Sequence, residues 1–299
     1  MDGMDERTAL RLLADALPAA GDDAAVVDDL VVTTDMLHET TDFPPGTTRY
    51  TAGWRAVGAS LSDVAAMGVP ATAAVAAYAA PRFDEAELAA FLQGARDVAD
   101  HVDAAYVGGD LDHHEEFTVA TTAVGRVDDV APVFRTGASP GEVVCVTGAL
   151  GRSAAGVRAF EAGDTDRGNE LFQFTPRVRE GRELASEATA MMDSSDGLAR
   201  SLHQLAEASG CGFEVDTERV PVADAVDSYV DADERWSLVS GFGEDFELVC
   251  TLPPPAVERT REALDALGTP LSVVGDVVER DAGLTADGDP LPDRGYTHG

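Results

Sequence analysis

The stretch "TAGWRAVGASLSDVAAMGVPATAAVAAYA", residues 51–79, sets the structural pattern of the chain. From Thr51 to Met67 its apolar residues recur at helical spacing, and "GVP" then ends the helix. The next run, "ATAAVAAYA", predicts a strand. One aspartate, Asp63, lies inside the helix between apolar neighbours, where an aspartate serving only to solvate the surface is not expected. The stretch therefore predicts a helix that leads into a sheet and carries one aspartate that becomes a functional candidate only together with others like it.

Similar elements lie on both sides of this stretch. Upstream, "AAVVDDLVVTTD" (24–35) predicts two short strands around an Asp-Asp turn. Downstream, Asp84 is a candidate N-cap for a helix, and two strands follow in "AAYVGGD" (104–110) and "EFTVATTAVGRV" (116–127). The first half therefore predicts a mixed α/β domain.

The pattern begins again after "VFRTGASPGE", residues 133–142, where turn-forming residues cluster. Beyond it the sequence alternates strands and helices, with a loop predicted through Arg167. We place a domain boundary here, giving an N-terminal domain over residues 1–136 and a C-terminal α+β domain over residues 137–299. The expected fold class is α/β and α+β in two domains.

The chain has 299 residues and contains no apolar run of the roughly 20 residues that cross a membrane. Its start lacks the basic-then-apolar order of a signal peptide. Three scattered cysteines without CxxC spacing argue against a disulfide framework and against a cysteine zinc site. A soluble protein of the cytoplasm is expected, with no membrane partner.

Net charge is the strongest global feature of the composition. With 21 basic and 55 acidic residues the chain carries −34, and it contains no lysine. Such a surface repels nucleic acid, which excludes that class of partner. At molar salt the screening length falls to about 3 Å, so mutual repulsion of surface charges largely disappears. The composition therefore predicts a protein adapted to high salt, and we expect it to come from a halophilic archaeon.

Several aspartates lie where predicted strands end, beside glycine or hydroxyl residues. These are Asp22, Asp23, Asp35, Asp110, Asp193 and Asp196. Strand ends direct side chains toward one edge of a sheet, where α/β proteins bind ligands. A converging set of carboxylates needs cations, and oxygen-only donors select hard ions, with Mg²⁺ favoured when phosphates share its shell and Ca²⁺ as the competitor.

Without lysine the chain cannot complete a GxxxxGK[ST] loop or a kinase catalytic pair. The glycine-rich turn in "TGALGRSAAG" (147–156) could present backbone N–H groups to an anion, although an ordinary tight turn explains it better. A nucleotide would therefore have to be held through metals and arginines.

These motifs together resemble the thiamine-monophosphate kinase family, within the aminoimidazole ribonucleotide synthetase superfamily. The resemblance is colinear through "GDDAAVV", "TTDML", "SDVAAMGVP", "GGD", "RTGASPGE", "VTGALGRSAAG", "MMDSSDGL", "GFGEDFEL" and the terminal "GY". It implies ATP and several Mg²⁺ ions in a cleft, thiamine monophosphate as acceptor, and a homodimer formed through the N-terminal sheet. It implies direct in-line transfer to an acceptor phosphate, with no catalytic side chain.

The resemblance also assigns roles to individual residues. Metal coordination falls to Asp23, Thr33, Thr34, Asp35, Asp63, Asp110, Asp193 and Asp196. ATP contacts fall to Gly109, Asp110, Arg135 and Ser195, and substrate contacts to Asp42, Glu244 and Tyr296. The family usually has a histidine at the position of Asp42.

Two alternatives remain open at this point. One is another ATP-dependent enzyme of the same superfamily, and the other is a non-enzymatic acidic protein whose aspartates only bind cations. His113 and His114, beside two glutamates, could suggest a transition-metal site, but solvated residues in a turn explain them better.

The charge balance generates the first prediction. Lowering potassium chloride from molar concentration to about 0.1 M, where charges interact over roughly 10 Å, is expected to unfold the protein or separate its subunits. Circular dichroism and light scattering across a salt series measure both outcomes. Full stability at 0.1 M salt would contradict the halophilic interpretation.

Overall fold

The computed structural model describes residues 12–13, 16–17, 19–231 and 234–295. These residues form two sheets with associated helices, which confirms the expected mixed α/β and α+β class. The precise boundary at residue 136 stays a prediction. None of the helices in the described ranges is long and apolar enough to cross a membrane.

The first half forms a five-stranded sheet and its helices. In chain order these are β1 (Ala25–Val27), β2 (Leu30–His38), α1 (Glu39–Asp42), α2 (Arg49–Ala66), β3 (Ala71–Ala80), α3 (Glu85–His101), β4 (Ala105–His113) and β5 (Thr118–Arg126).

The strand order in this sheet is β1-β2-β5-β3-β4. All neighbours are antiparallel except β3 and β4, and the predicted Asp-Asp turn joins β1 to β2 with Asp28 at a positive φ of 55°. The odd-numbered residues of β2 face α2, whereas Met36 and other even-numbered residues lie on a second face that we call the open face. The exposed side chains of Val75 and Ala77 on β3 belong to this open face.

Two glycines allow α2 and α3 to pack in close contact. A Cβ on Gly94 would lie 2.0 Å from the carbonyl oxygen of Tyr50, and one on Gly53 would lie 2.2 Å from that of Phe91. Any larger side chain would separate the helices, so these residues determine how closely α3 approaches α2.

The second half forms a seven-stranded sheet and further helices. In chain order these are β6 (Val143–Thr147), α4 (Arg152–Glu161), α5 (Thr165–Phe172), α6 (Val178–Leu184), β7 (Ala190–Asp193), α7 (Leu198–Ser209), β8 (Gly212–Val215), α8 (Val226–Tyr229), α9 (Arg235–Gly241), β9 (Leu248–Leu252), α10 (Val257–Ala266), β10 (Leu271–Val278), β11 (Leu284–Ala286) and β12 (Asp289–Pro290).

The strand order here is β12-β11-β8-β10-β6-β9-β7, with only β8 and β11 parallel. One apolar core runs from α2 and α3 to residues of this sheet such as Met191 and Leu248. Most side chains of α2 are buried. The helix of the opening stretch is therefore enclosed by both halves of the protein, which explains its many small residues.

The loop predicted through Arg167 is wrong, because these residues form α5. Asp164 caps this helix by accepting a hydrogen bond from the backbone N–H of Arg167. Leu171 and Phe172 bury one side of α5, and Phe172 packs edge-on against Phe160 of α4. Tertiary packing overrides the polar, glycine-containing sequence that suggested a loop.

Candidate metal and nucleotide site

Three aspartates meet where α2 contacts both sheets. Asp23 precedes β1, Asp63 lies on α2 and Asp193 ends β7, and one carboxylate oxygen from each lies within 4.8 Å of the others. We call this group the carboxylate cluster. Asp23 and Asp193 are buried, and Asp63 is partly exposed. No other group of this kind occurs within the described part of the chain.

Hydroxyl groups support these carboxylates. Thr33 on β2 donates to Asp63 at 2.5 Å, and Ser62 on α2 donates to Asp193 at 2.6 Å. A third hydroxyl, Ser60, donates to Asp35 at 2.6 Å. Thr33, Asp35, Asp63 and Asp193, predicted as metal ligands, thus come together around α2. Sequence reasoning missed both serines, and the signal was their position beside Asp63 in an otherwise apolar helix.

Burial makes ionisation of these groups costly. Desolvation, followed by repulsion from Asp23, raises the pKa of Asp193 to about 7. Desolvation and repulsion from Asp35, Asp193 and Asp23 raise the pKa of Asp63 well above its ordinary value. The pKa of Asp35 is raised by burial in the same way. Negative charge is therefore costly here without a cation.

Arg135, predicted to contact ATP, binds the cluster from the side. Its guanidinium makes two hydrogen bonds to Asp23, of 2.8 and 3.1 Å, and its backbone N–H donates to Asp22. The side chain of Asp23 is 1% exposed and that of Arg135 is 19% exposed. Arg135 is thus a fixed positive charge at the edge of the cluster, suited to an anion placed there.

The donor set fits a hard divalent cation. Every ligand atom offered is a carboxylate oxygen, which Mg²⁺ and Ca²⁺ prefer. The Oδ1 atom of Asp193 is buried and has no hydrogen-bond partner in the described structure. A buried carboxylate oxygen left unpaired is costly, and a bound cation would satisfy it.

Asp196 and Ser195 lie beyond β7, at the start of α7. Both are partly exposed, and Asp196 is not in the cluster. The backbone carbonyl of Ser195 accepts a hydrogen bond from the N–H of Glu244 at 2.6 Å. The N-terminal end of the twelve-residue α7 follows at once, so its positive dipole end lies beside these residues.

Thr34 and Asp110, also predicted as metal ligands, lie elsewhere. Both side chains are exposed, and the Thr34 hydroxyl donates to the carbonyl of Thr121. Asp110 pairs with Ala77, which places it on the open face with Thr34 and opposite the cluster. Three strand spacings separate β2 from β4, about 14 Å. Within one chain, these two residues therefore do not join the cluster.

Gly109, predicted to contact ATP, packs directly on β3. A Cβ at this position would lie 1.8 Å from the carbonyl oxygen of Ala76. Glycine is therefore required by packing, independently of any ligand.

The loop "GFGEDFEL" is held by three acidic residues with separate partners. Glu244, predicted to contact substrate, forms an ion pair of 2.8 Å with the buried Arg55. Asp245 accepts hydrogen bonds from the backbone N–H groups of Gly151 and Ser153. The anion at the glycine-rich turn is therefore a side chain of the protein itself. Glu247 makes two hydrogen bonds to Arg177.

The two remaining predicted substrate contacts have different outcomes. Asp42 is 4% exposed and accepts a hydrogen bond of 2.6 Å from the backbone N–H of His38, so the structure gives it a supporting role in α1. Tyr296 lies outside the described residues. Its neighbour Gly295 packs against Asp196 and Arg200, beside the start of α7.

Neither the histidine pair nor the cysteines belong to the metal-binding group found among the described residues. The ring of His113 packs against that of Phe83 in a tilted arrangement, with ring centroids 4.6 Å apart. Cys145, Cys211 and Cys250 are buried free thiols that contribute to the cores.

Comparisons with known proteins cover nearly the whole chain. The family model for the N-terminal domain of AIR synthase related proteins matches residues 21–127, and the model for the C-terminal domain matches residues 139–286. A thiamine-monophosphate kinase from Halobacterium salinarum is 62% identical over 295 residues, which cover 99% of this chain and 100% of that protein. One from Methanospirillum hungatei is 39% identical, with 99% of each chain covered. The solved structure of AaThiL complexed with AMPPCP and TMP superimposes with a TM-score of 0.88 at 25% identity, covering 100% of this chain and 99% of that one.

The raised pKa of Asp193 generates the second prediction. Between its ordinary value of 3.8 and about 7 the folded protein holds a proton that the unfolded chain releases. In EDTA the free energy of unfolding should therefore fall as pH rises through this range, by up to about 1.4 kcal/mol per pH unit for that proton. Asp193→Asn should flatten the slope and the exposed Asp100→Asn should not. Urea unfolding in molar potassium chloride measures it, and equal slopes in wild type and Asp193→Asn would contradict the assignment.

Proposed function

The chain belongs to the thiamine-monophosphate kinase family, and from this membership we infer that it transfers the terminal phosphoryl group of ATP to thiamine monophosphate, forming thiamine diphosphate and ADP. The observation that carries this conclusion is the 62% identity to the Halobacterium salinarum enzyme along the entire chain. The fold neighbour complexed with AMPPCP and TMP supports the same pair of substrates. Hydrogenase-maturation proteins share the fold at 19–20% identity. Identity this low shows a common fold and does not indicate that the chain catalyses their reaction.

We propose that the carboxylate cluster, with Asp35 and Asp196, holds Mg²⁺ ions that bind the ATP phosphates. Bound there, Mg²⁺ would neutralise phosphate charge during transfer. Arg135 is placed to contact the nucleotide, because its guanidinium already lies at the cluster and keeps its charge at any relevant pH. Ser195 lies at the start of α7, where backbone N–H groups favour an anion.

The residues of the chain bind and orient the substrates. The acceptor phosphate is already ionised, so transfer needs no strong general base, and the absence of lysine is no obstacle. Glu244 is a candidate contact for the cationic thiamine ring, although its carboxylate already forms an ion pair with Arg55. Tyr296 is a further candidate, because Gly295 brings the chain to the start of α7. Because the acceptor phosphate can attack directly, we propose in-line transfer without a covalent phosphoenzyme.

The positions of Thr34 and Asp110 suggest a site shared between subunits. We propose a homodimer formed through the open face, where Met36 is 58% exposed and Val75 is 37% exposed. Stacking two open faces brings β4 of one subunit toward β2 of the other. Asp110 and Gly109 of one subunit would then lie near Thr34 of the other, so that these residues could act together at the subunit interface, although three strand spacings separate them within one chain.

The excess of acidic residues supports a halophilic enzyme. A relative from Halobacterium salinarum agrees with the expected origin in a halophilic archaeon. Molar salt screens the repulsion between surface carboxylates, so the folded chain can carry many of them. A cytoplasmic location stays a prediction.

The third prediction concerns the reaction. With ATP and Mg²⁺ in molar potassium chloride, thiamine monophosphate should be converted to thiamine diphosphate, in preference to thiamine or hydroxymethylpyrimidine phosphate. Asp63→Asn should lower kcat/KM by at least about 100-fold, because a carboxylate of the cluster is lost, while Asp100→Asn should not. Chromatographic product analysis measures each acceptor. Preferential phosphorylation of thiamine or of the pyrimidine would refute the acceptor assignment.

The fourth prediction concerns assembly. Met36→Asp places a charge at the centre of the open face and should convert a dimer into a monomer. Leu267→Asp, at a side chain that is 41% exposed in the second half of the protein, is the matched control and should remain dimeric. Size-exclusion chromatography with light scattering in molar salt gives the masses. A dimeric Met36→Asp protein would rule out the open face as the interface.

A further inference from the structure

Ser62 joins the two halves of the protein at the carboxylate cluster. It lies on α2 next to Asp63, is fully buried, and donates from Oγ to Oδ2 of Asp193, which is 131 positions away in sequence. Asp193 itself is 1% exposed. This hydrogen bond therefore connects a helix of the first half to a strand end of the second, in a place that water does not reach.

The bond determines which oxygen of Asp193 remains available. Oδ2 is held by Ser62, whereas Oδ1 is buried without a hydrogen-bond partner in the described structure. A carboxylate fixed at one oxygen cannot rotate freely, so the other oxygen keeps a single direction. The hydroxyl thus orients the carboxylate in addition to stabilising it.

We propose that Ser62 is a positioning residue that orients Asp193 for metal binding, an inference that rests on the metal site proposed above. Supporting hydrogen bonds to metal-ligating carboxylates commonly contribute 10- to 100-fold to metal affinity. Ser60 occupies a related position toward Asp35, but its hydroxyl is also within hydrogen-bond distance of Thr121. Within the described residues, the hydroxyl of Ser62 hydrogen-bonds to Asp193 alone.

A matched pair of serine variants tests this role. Ser201 is also fully buried and also contacts Asp193, but it donates to the backbone carbonyl of that residue, at 3.4 Å, and to Gly197. Ser62→Ala and Ser201→Ala remove the same atom beside the same aspartate. Mn²⁺ binding to the full chain, measured by electron paramagnetic resonance of the free ion in molar potassium chloride, reports affinity without any turnover.

We expect Ser62→Ala to raise the Mn²⁺ dissociation constant by about 10- to 100-fold and Ser201→Ala to leave it unchanged. Ser62→Cys keeps a donor at the same position, although a weaker and slightly larger one, so its affinity should fall between those of wild type and Ser62→Ala. This variant also keeps the test decisive if the alanine variant does not fold. In an Asp193→Asn background, Ser62→Ala should have no further effect, because the hydroxyl then has no ligand to orient.

Three results would overturn the inference. Equal Mn²⁺ affinity of wild type and the folded Ser62 variants would show that the hydroxyl does not orient a ligand. Equal losses in Ser62→Ala and Ser201→Ala would indicate general loosening of the structure around Asp193. If wild type binds no Mn²⁺, the proposed metal site itself fails, and this inference fails with it.

Discussion

Mutual repulsion within the carboxylate cluster is the constraint on which the rest of the site depends. Unit charges 4 Å apart repel by about 4 kcal/mol at an effective dielectric of 20, and three aspartates here offer oxygens within 4.8 Å of one another. Three features of the fold reduce this repulsion. Arg135 pairs with Asp23, hydroxyl groups donate to Asp63 and Asp193, and the raised pKa of Asp193 favours its neutral form. These measures lessen the repulsion without cancelling it, since one arginine faces several carboxyl groups. A divalent cation is the remaining means of balancing the charge when all of them ionise.

The helix α2 makes this arrangement possible. It is buried against both halves of the protein, so the residues on its two sides reach β2 through Ser60 and β7 through Ser62. Gly53 and Gly94 bring α3 against it closely, which leaves α2 little freedom to shift. Because the same helix packs the cores and carries Asp63, a change that moves the halves apart also separates the ligands. Binding of a cation at these residues would therefore be thermodynamically linked to folding.

The sequence predicted the architecture well, because helical spacing, turn residues and strand ends follow local rules. It also selected Asp23, Asp63 and Asp193 as candidate ligands, and the structure brings these three together. Strand ends and an aspartate embedded in an apolar helix can be recognised from local sequence. It could not separate Thr33 from Thr34: adjacent strand residues face opposite sides, and only the sheet shows which side holds α2. Asp42 was assigned from family position, whereas its burial beside the backbone of His38 depends on the tertiary fold. Ser62 was missed because its partner lies 131 positions away.

The acidic surface and the carboxylate cluster present two different electrostatic problems in this chain. Of 55 acidic residues, most need only screening, which molar potassium chloride provides over about 3 Å. Salt ions in bulk water do not screen charges that protein atoms enclose, so the cluster gains little from them. A monovalent ion bound there would also compensate less charge per site than a divalent one. The general acidity of the chain therefore does not explain the cluster, because screening by salt lowers repulsion at the surface, whereas the buried carboxylates would need a specifically bound cation.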